Sequence, residues 1–169
     1  MSDTIVGKRL IYTYANGWEY ELYVKNDTTV DYRIHSGLVG GRWVRDQHAY
    51  VSRLRENVHT VHWTEPTGTS VSIVADLEHR VTHGTIFFPR WVVDDPRATV
   101  CFQNDHLDEM VRRREAGPTY PIEVIDEDSE ITLLEDPGPD DESVISEPPG
   151  DAAQRSSTPD TAGGERSRA

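Results

Sequence analysis

Two tyrosines, Tyr12 and Tyr14, stand two residues apart in the segment RLIYTYANGWEYE (residues 9–21). On a β-strand, alternate side chains point to the same face, so both hydroxyls would be aimed at one spot. Asn16-Gly17 follows directly, and this dipeptide is typical of tight hairpin turns. Two convergent hydroxyls can donate hydrogen bonds to one ligand oxygen, although a half-buried pair that only packs explains the same pattern.

Two charged residues could complete a site with these tyrosines. Glu65 continues the strand face that carries Val61 and Trp63, and Arg42 lies beside Trp43. A carboxylate among aromatic residues is costly to desolvate without a partner, and burial favours its protonated form. Arg42 could be that partner, since a guanidinium holds a carboxylate through two hydrogen bonds. Alternatively, Glu65 is a solvated turn residue and Arg42 is a surface cation on the Trp43 indole.

Short strands must position these side chains. Alternating or β-rich segments, separated by turn residues, predict strands at residues 9–14, 18–25, 29–35, 41–45, 49–55, 58–64, 69–75 and 79–88. Eight such strands favour an antiparallel sheet closed into a small barrel, whose interior can admit one small ligand. We expect a short helix over 90–94, two further short strands at 120–125 and 130–135, and a helix from His106 to about Ala116 capped by Asn104-Asp105.

The charge of the chain is concentrated at its C-terminal end. The formal net charge is −13, yet residues 1–125 contain 17 acidic and 14 basic residues. Residues 126–169 contain 13 acidic and 3 basic residues, and no aromatic residue follows Tyr120. We therefore expect one domain over residues 1–149 and a disordered polar tail over 150–169.

Composition also excludes several classes of function. Cys101 is the only cysteine, so no intrachain disulfide can form, and a reducing compartment, the cytoplasm, is favoured. The sequence has neither a secretion signal nor an apolar run that could span a membrane. An acidic chain without a basic patch is a poor match for nucleic acid. The histidines lack metal-ligand spacing, and we find no nucleophile elbow or phosphate loop.

Several long segments are familiar together. They read IYTYANGWEYELYVKNDTTVDYRIHSGLVGGRWV, WTEPTGTSV, HGTIFFPRWV, QNDHLDEMVRRRE followed by TYP, and DESVISEPP. In this order they resemble bacterial phenolic acid decarboxylases over roughly residues 5–149. The resemblance implies a mainly β fold, a flattened antiparallel lipocalin-like β-barrel with flanking short helices, assembled as a homodimer. It also implies cofactor-free decarboxylation of para-hydroxycinnamic acids (p-coumaric, caffeic and ferulic) to 4-vinylphenols.

The resemblance assigns roles to particular residues. The catalytic residues of the family fall on Tyr12, Tyr14, Arg42 and Glu65. Its pocket residues fall on positions that strand alternation places on the inner face, namely Trp18, Tyr20, Trp63, Thr69, Val71, Ile86 and Phe88. We expect Glu65 to protonate the substrate at Cα, giving a quinone methide from which CO₂ departs, while the tyrosines hold the phenolate. The reverse substrate orientation uses the same residues.

A different class of function fits the same barrel. A non-catalytic lipocalin-like carrier of small phenolic compounds would also need an apolar pocket lined by aromatic residues. A carrier has no use for an acid and a cation beside two tyrosines, so Arg42 and Glu65 favour the enzyme.

Overall fold

Nine antiparallel strands form a single sheet in the computed structural model, which describes residues 3–150. The strands are β1 (Arg9–Tyr14), β2 (Glu19–Val24), β3 (Thr29–Ile34), β4 (Trp43–His48), β5 (Tyr50–Arg55), β6 (Val58–Thr64), β7 (Ser70–Asp76), β8 (Val81–Phe88) and β9 (Glu123–Glu135). Two α-helices, α1 (Arg90–Asp94) and α2 (Leu107–Ala116), and two short 3-10 turns (Pro96–Thr99 and Gln103–Asp105) lie between β8 and β9.

The sheet curls into a nearly closed barrel. The strand order is β4-β3-β2-β1-β9-β8-β7-β6-β5, so the two edge strands, β4 and β5, follow each other in the chain. Gln47 of β4 donates a hydrogen bond to the carbonyl of Thr64 at the end of β6 (3.0 Å) and helps to close the gap. The predicted fold class, an antiparallel lipocalin-like barrel with flanking short helices, is confirmed.

Strand β9 corrects the predicted end of the sheet. We expected two short strands, at 120–125 and 130–135, but Glu123–Glu135 is one strand of 13 residues. Its acidic middle resembles a turn, yet it pairs with β8 on one side and β1 on the other. Asp126 and Asp128 point outward and bind His83 of β8 (2.7 and 2.6 Å). The prediction was wrong because the pattern of residues within one segment does not show which residue on the neighbouring strand will bind them.

Helix α2 also begins differently from the prediction. It starts at Leu107 after His106, and no side chain caps its first turn. Asn104 instead bonds the backbone of Arg45, accepting from its N–H (3.0 Å) and donating to its carbonyl (2.8 Å). The side chain predicted as a helix cap therefore ties the loop before α2 to strand β4.

The outer face of β2 is buried as well as the inner one. Glu21 has no exposed surface and accepts hydrogen bonds from Arg9 (2.6 Å) and Arg33 (2.6 and 3.0 Å), with His35 Nε2 at 2.6 Å. Residues 136–150 cross this face, where the Tyr23 hydroxyl donates to the carbonyl of Gly138 (2.6 Å). Burial alone would raise the pKa of Glu21, but its hydrogen bonds and neighbouring cations lower that pKa to about 2.

This buried carboxylate predicts an acid-sensitive contribution to stability. Because the folded pKa of about 2 lies below the ordinary value of 4.5, the contribution is present above about pH 4.5 and is lost as pH falls through 2. Glu21→Gln should lower the free energy of unfolding at pH 7 by about 3–5 kcal/mol, because Arg9 and Arg33 keep their charges but lose the anion that pairs with them. Urea unfolding between pH 2 and 7 measures both effects. Exposed Glu78→Gln is the matched control, and equal stability of the two variants would contradict the prediction.

The C-terminal limit of the domain can be followed as far as Gly150. The Gly150 carbonyl lies 3.3 Å from Nδ1 of His35, so the described segment ends against the sheet. The rest of the predicted tail, residues 151–169, lies outside the described residues. Within residues 3–150, none of the helices is long and apolar enough to cross a membrane.

Candidate active site

The tyrosine pair lies on the inner face of the barrel. Tyr12 and Tyr14 are both buried, and their rings meet edge to face with centroids 5.8 Å apart. Tyr20 of β2 joins them, with ring centroids 5.4 Å from Tyr14 and 6.0 Å from Tyr12. The turn that creates this arrangement has Gly17 at φ +89°, a conformation that favours glycine, directly after Asn16. The predicted hairpin therefore brings three phenol rings together.

Two of the three phenol hydroxyls lack a protein partner. The hydroxyls of Tyr14 and Tyr20 are buried without a hydrogen bond to any described residue. Burial raises the pKa of Tyr12, Tyr14 and Tyr20 above the ordinary value of 10, so all three stay protonated at neutral pH. A buried donor without an acceptor costs about 1–3 kcal/mol, which a ligand oxygen can recover.

Gly84 makes room for the Tyr14 hydroxyl. A Cβ atom added to Gly84 of β8 would lie 2.6 Å from that oxygen, closer than van der Waals contact allows. Gly84 is not at positive φ, so its backbone conformation suits any residue, and the space it leaves is the structural reason for a glycine here.

This contact predicts that Gly84→Ala displaces Tyr14 without breaking the sheet. We expect turnover of a phenolic acid to fall about 10-fold or more, because a hydrogen-bond donor moves by a few tenths of an ångström or more from its working position. Steady-state kinetics measures this loss, and the melting temperature reports on the fold. Wild-type kinetics in Gly84→Ala would show that Tyr14 needs no fixed position.

Glu65 lines the same interior and lies in the turn after β6. The turn is closed by hydrogen bonds from Glu65 N to Thr69 O (2.8 Å) and from Gly68 N to Glu65 O (2.9 Å). Its carboxylate is only 8 % exposed and accepts hydrogen bonds from the hydroxyls of Tyr32 (2.5 Å) and Thr67 (3.1 Å). The buried acid expected from strand alternation is therefore present, and the solvated-turn alternative is wrong.

Arg42 is the cation that faces Glu65. Its side chain is 2 % exposed, and Nη2 lies 3.2 Å from Glu65 Oε2. Nη1 donates to the carbonyl of Thr99 (3.1 Å), and Nη2 also contacts Oε1 of Gln103. Burial alone would lower the pKa of Arg42, but the Glu65 carboxylate raises it above its ordinary value, so the guanidinium stays charged. The alternative of a surface cation is wrong.

These groups surround one cavity of about 510 Å³, its opening to solvent included. The lining comprises Tyr12, Tyr14, Tyr20, Tyr32, Ile34, Val39, Arg42, Trp63, Glu65, Thr67, Thr69, Val71, Ile86, Phe88, Val92 and Thr99. The lining thus combines phenol hydroxyls, an acid and a cation with apolar side chains. The cavity can therefore hold a largely apolar molecule that carries polar oxygens.

Sequence comparison identifies the family to which this chain belongs. A family model described as phenolic acid decarboxylase (PAD) matches residues 2–158. The chain belongs to the phenolic acid decarboxylase family. It is therefore a carboxy-lyase that acts on phenolic acids, and the non-catalytic carrier weighed above is set aside.

Curated relatives agree with the family assignment. The chain is 54 % identical over 147 residues to phenolic acid decarboxylase PadC of Bacillus subtilis, covering 87 % of this chain and 91 % of that protein. It is 52 % identical over 149 residues to the probable phenolic acid decarboxylase of Vibrio cholerae, covering 88 % and 86 %. A crystal structure from Burkholderia vietnamiensis, described only provisionally as a beta-lactamase, matches with a TM-score of 0.51 at 11 % identity over 80 % of this chain and 97 % of that one. This last likeness concerns the fold alone.

The structure brings together ten of the eleven residues that we predicted for the decarboxylase site. Trp18 is the exception, since its indole packs beneath Gly37, where an added Cβ would lie 2.8 Å from the ring. Among the residues that sequence reasoning did not assign to the site, Tyr32 and Ile34 lie on the inner face of β3, where alternation could have found them. Others, namely Val39, Thr67, Val92 and Thr99, come from loops, a helix and a 3-10 turn, where no strand period applies.

Proposed function

We propose that this decarboxylase converts para-hydroxycinnamic acids, such as p-coumaric, caffeic and ferulic acid, to 4-vinylphenols and CO₂ through a quinone methide. One observation carries the proposal. Three buried donors of cavity-lining residues, the hydroxyls of Tyr14 and Tyr20 and Nε of Arg42, have no partner among the described residues. They suit a ligand with a phenol at one end and a carboxylate at the other, and Glu65 supplies an acid between them.

The substrate class follows from where the electrons of the broken C–C bond can go. Direct loss of CO₂ from a cinnamate would leave a vinyl anion. Protonation of Cα, together with loss of the phenol proton, gives a quinone methide whose conjugated system accepts those electrons. When CO₂ leaves, the phenolate re-forms and takes up a proton. In sum, one cinnamate anion and one proton from solvent yield one vinylphenol and one CO₂, with no redox change and no added cofactor.

The tyrosine side of the cavity suits the phenol. A phenolate gains stability from donors that are already oriented, and removal of one such donor typically costs 10²–10³-fold in rate. Because burial raises their pKa values, Tyr12 and Tyr14 keep the protons that they donate. In the opposite orientation the tyrosines would bind the carboxylate. We favour the phenol at the tyrosines because Cα otherwise has no acid within reach.

Arg42 and Glu65 suit the other end of the substrate. In the free protein Glu65 is paired with Arg42 and accepts from Tyr32 and Thr67. Arrival of the substrate carboxylate adds a second negative charge beside one guanidinium, and two carboxylates around one cation favour protonation of one of them. Glu65 is the group that we propose as the proton donor to Cα.

The experiment is to mix the purified protein with p-coumarate, caffeate or ferulate, with and without EDTA. We expect loss of the cinnamate absorbance with one 4-vinylphenol and one CO₂ per substrate consumed, unaffected by the chelator. Quenching of tryptophan fluorescence without conversion of any of the three would overturn the proposed substrate class. A hydrated product in place of the vinylphenol would overturn the reaction.

The proposal also covers the oligomeric state of the protein and its cellular compartment. On the strength of the family resemblance we propose a homodimer, and on its single cysteine a cytoplasmic enzyme. Light scattering coupled to gel filtration tests the assembly. A mass of about twice 19.1 kDa is expected, and a mass equal to one chain would contradict it.

A further inference from the structure

The contacts of Arg42 include a residue outside the cavity lining. Its guanidinium contacts the Glu65 carboxylate, the Thr99 carbonyl and Oε1 of Gln103, and the Tyr32 hydroxyl also neighbours it. Only Glu65 is charged. Gln103 is 3 % exposed and lies in the 3-10 turn that precedes α2. A buried arginine is thus held at two points by neutral oxygens and at one point by an anion.

We infer that Gln103 is a positioning residue for the decarboxylation, fixing Arg42 through an uncharged acceptor so that the cation's charge remains available to Glu65 and the substrate carboxylate. This inference rests on the proposed function and deepens it. Gln103 does not line the cavity and acts through Arg42.

The segment that carries Gln103 is anchored to the start of β4, on both sides of the contact. Phe102 stacks on Trp43 with ring centroids 4.0 Å apart, and Trp43 N donates to the carbonyl of Cys101 (3.2 Å). Asn104 holds the backbone of Arg45 through two hydrogen bonds, as described above. Because residues 101, 102 and 104 bind β4 from both sides of Gln103, the position of the Gln103 amide relative to Arg42 is defined by the fold.

The neutrality of the amide matters because charges interact strongly in this interior. A carboxylate at position 103 would stand as close to the guanidinium as Glu65 does and would compete with it for the cation. Nε of Arg42 is buried without a partner among the described residues, and a neutral neighbour leaves that donor attractive to the substrate carboxylate. An amide oxygen is the acceptor that binds Arg42 without consuming its charge.

Two substitutions of Gln103 test this inference. One adds a charge and keeps the shape of the side chain, and the other removes the hydrogen-bond acceptor. Gln103→Glu keeps the shape and an acceptor but adds a negative charge. We expect its KM for p-coumarate to rise about 10- to 100-fold, as for a lost hydrogen bond to a charged group. We also expect the pH profile of its kcat/KM to shift, because the added carboxylate ionises beside the same guanidinium. Gln103→Met keeps the length without an acceptor and should lower kcat/KM about 10- to 100-fold without that shift.

The other titratable groups near the pair stay the same in both variants. Tyr32 of β3 and Cys101 face Arg42, and Tyr20 of β2 faces Glu65. Asn26→Ala is the matched structural control, since it removes side-chain hydrogen bonds of the turn between β2 and β3 and leaves Gln103, its segment and the acceptors of Arg42 in place. It should lower the melting temperature while retaining the wild-type KM and pH profile.

The experiment is to measure pH profiles of kcat and kcat/KM for p-coumarate, with melting temperatures, for the wild type and the three variants. Wild-type KM and pH profile in Gln103→Glu would overturn the inference and leave the proposed function standing. Equal changes in Asn26→Ala would also overturn it, since general loosening of the fold would then explain the effect. A wild-type protein that does not convert p-coumarate would overturn both.

Discussion

Glu65→Gln is expected to lose about 10²–10⁴-fold in kcat on p-coumarate, the contribution typical of a general acid. The Tyr32 hydroxyl donates to Oε1 of Glu65 (2.5 Å) and the Thr67 hydroxyl to Oε2 (3.1 Å). Glutamine keeps the shape and one acceptor oxygen, and its amide N–H can donate to the hydroxyl that this oxygen does not bind. It cannot deliver a proton to Cα. Stopped-flow absorbance measures the loss, and quenching of tryptophan fluorescence on addition of p-coumarate measures binding, because Trp63 lines the cavity.

The controls for Glu65→Gln separate catalysis from folding. The exposed carboxylate of Glu78, in the turn between β7 and β8, allows a matched Glu78→Gln variant that should keep wild-type turnover. The substrate should still quench the fluorescence of Glu65→Gln. Turnover within a few-fold of wild type in a folded Glu65→Gln protein would show that the proton comes from elsewhere.

Tyr12→Phe and Tyr14→Phe are each expected to lower kcat about 10²–10³-fold, as for removal of one donor to a developing oxyanion. The thermal stability of Tyr14→Phe should not fall with its activity. The Tyr14 hydroxyl is buried without a partner among the described residues, so its removal relieves a cost rather than breaking a bond. We therefore expect Tyr14→Phe to melt at or above the wild-type temperature while it loses activity, which kinetics and calorimetry on the same samples can measure.

Exposed tyrosines provide the comparison. Tyr50 and Tyr120 are 65 % and 76 % exposed, and their phenylalanine variants should keep wild-type kinetics. If Tyr14→Phe keeps its activity, its hydroxyl is not a donor in the reaction. If Tyr14→Phe melts well below the wild type, the hydroxyl has a structural partner in the free protein, and the argument from an unsatisfied donor is wrong.

The alternation of side chains along the strands predicted much of the site from the sequence. The shared face of Tyr12 and Tyr14, and the continuation of the Trp63 face to Glu65, both follow from a period of two residues. The barrel then turns these faces toward one interior, which explains why residues distant in sequence meet. Most of the cavity wall that strands form was predicted in this way, and Tyr32 and Ile34 of β3 are the strand residues that were not assigned to the site.

The rest of the site depends on contacts that no local pattern encodes. Gln103 and Thr99 reach Arg42 because a connection between β8 and β9 folds back over β4. Glu21 lies on the outer face of β2, where residues 136–150 cover it and Arg9 and Arg33 bind its carboxylate. In both cases the partner comes from more than ten residues away, and only the fold reveals it.

Dependence on the para-hydroxyl tests the quinone methide most directly. p-Coumarate and 4-methylcinnamate are nearly the same shape, but only the first can form a quinone methide by losing a phenol proton. Each is incubated with the wild-type enzyme at equal concentration, and the vinyl products are quantified by chromatography. The account predicts 4-vinylphenol from p-coumarate and no 4-methylstyrene, although 4-methylcinnamate should quench tryptophan fluorescence on binding. Conversion of 4-methylcinnamate at a rate comparable to that of p-coumarate would contradict the account.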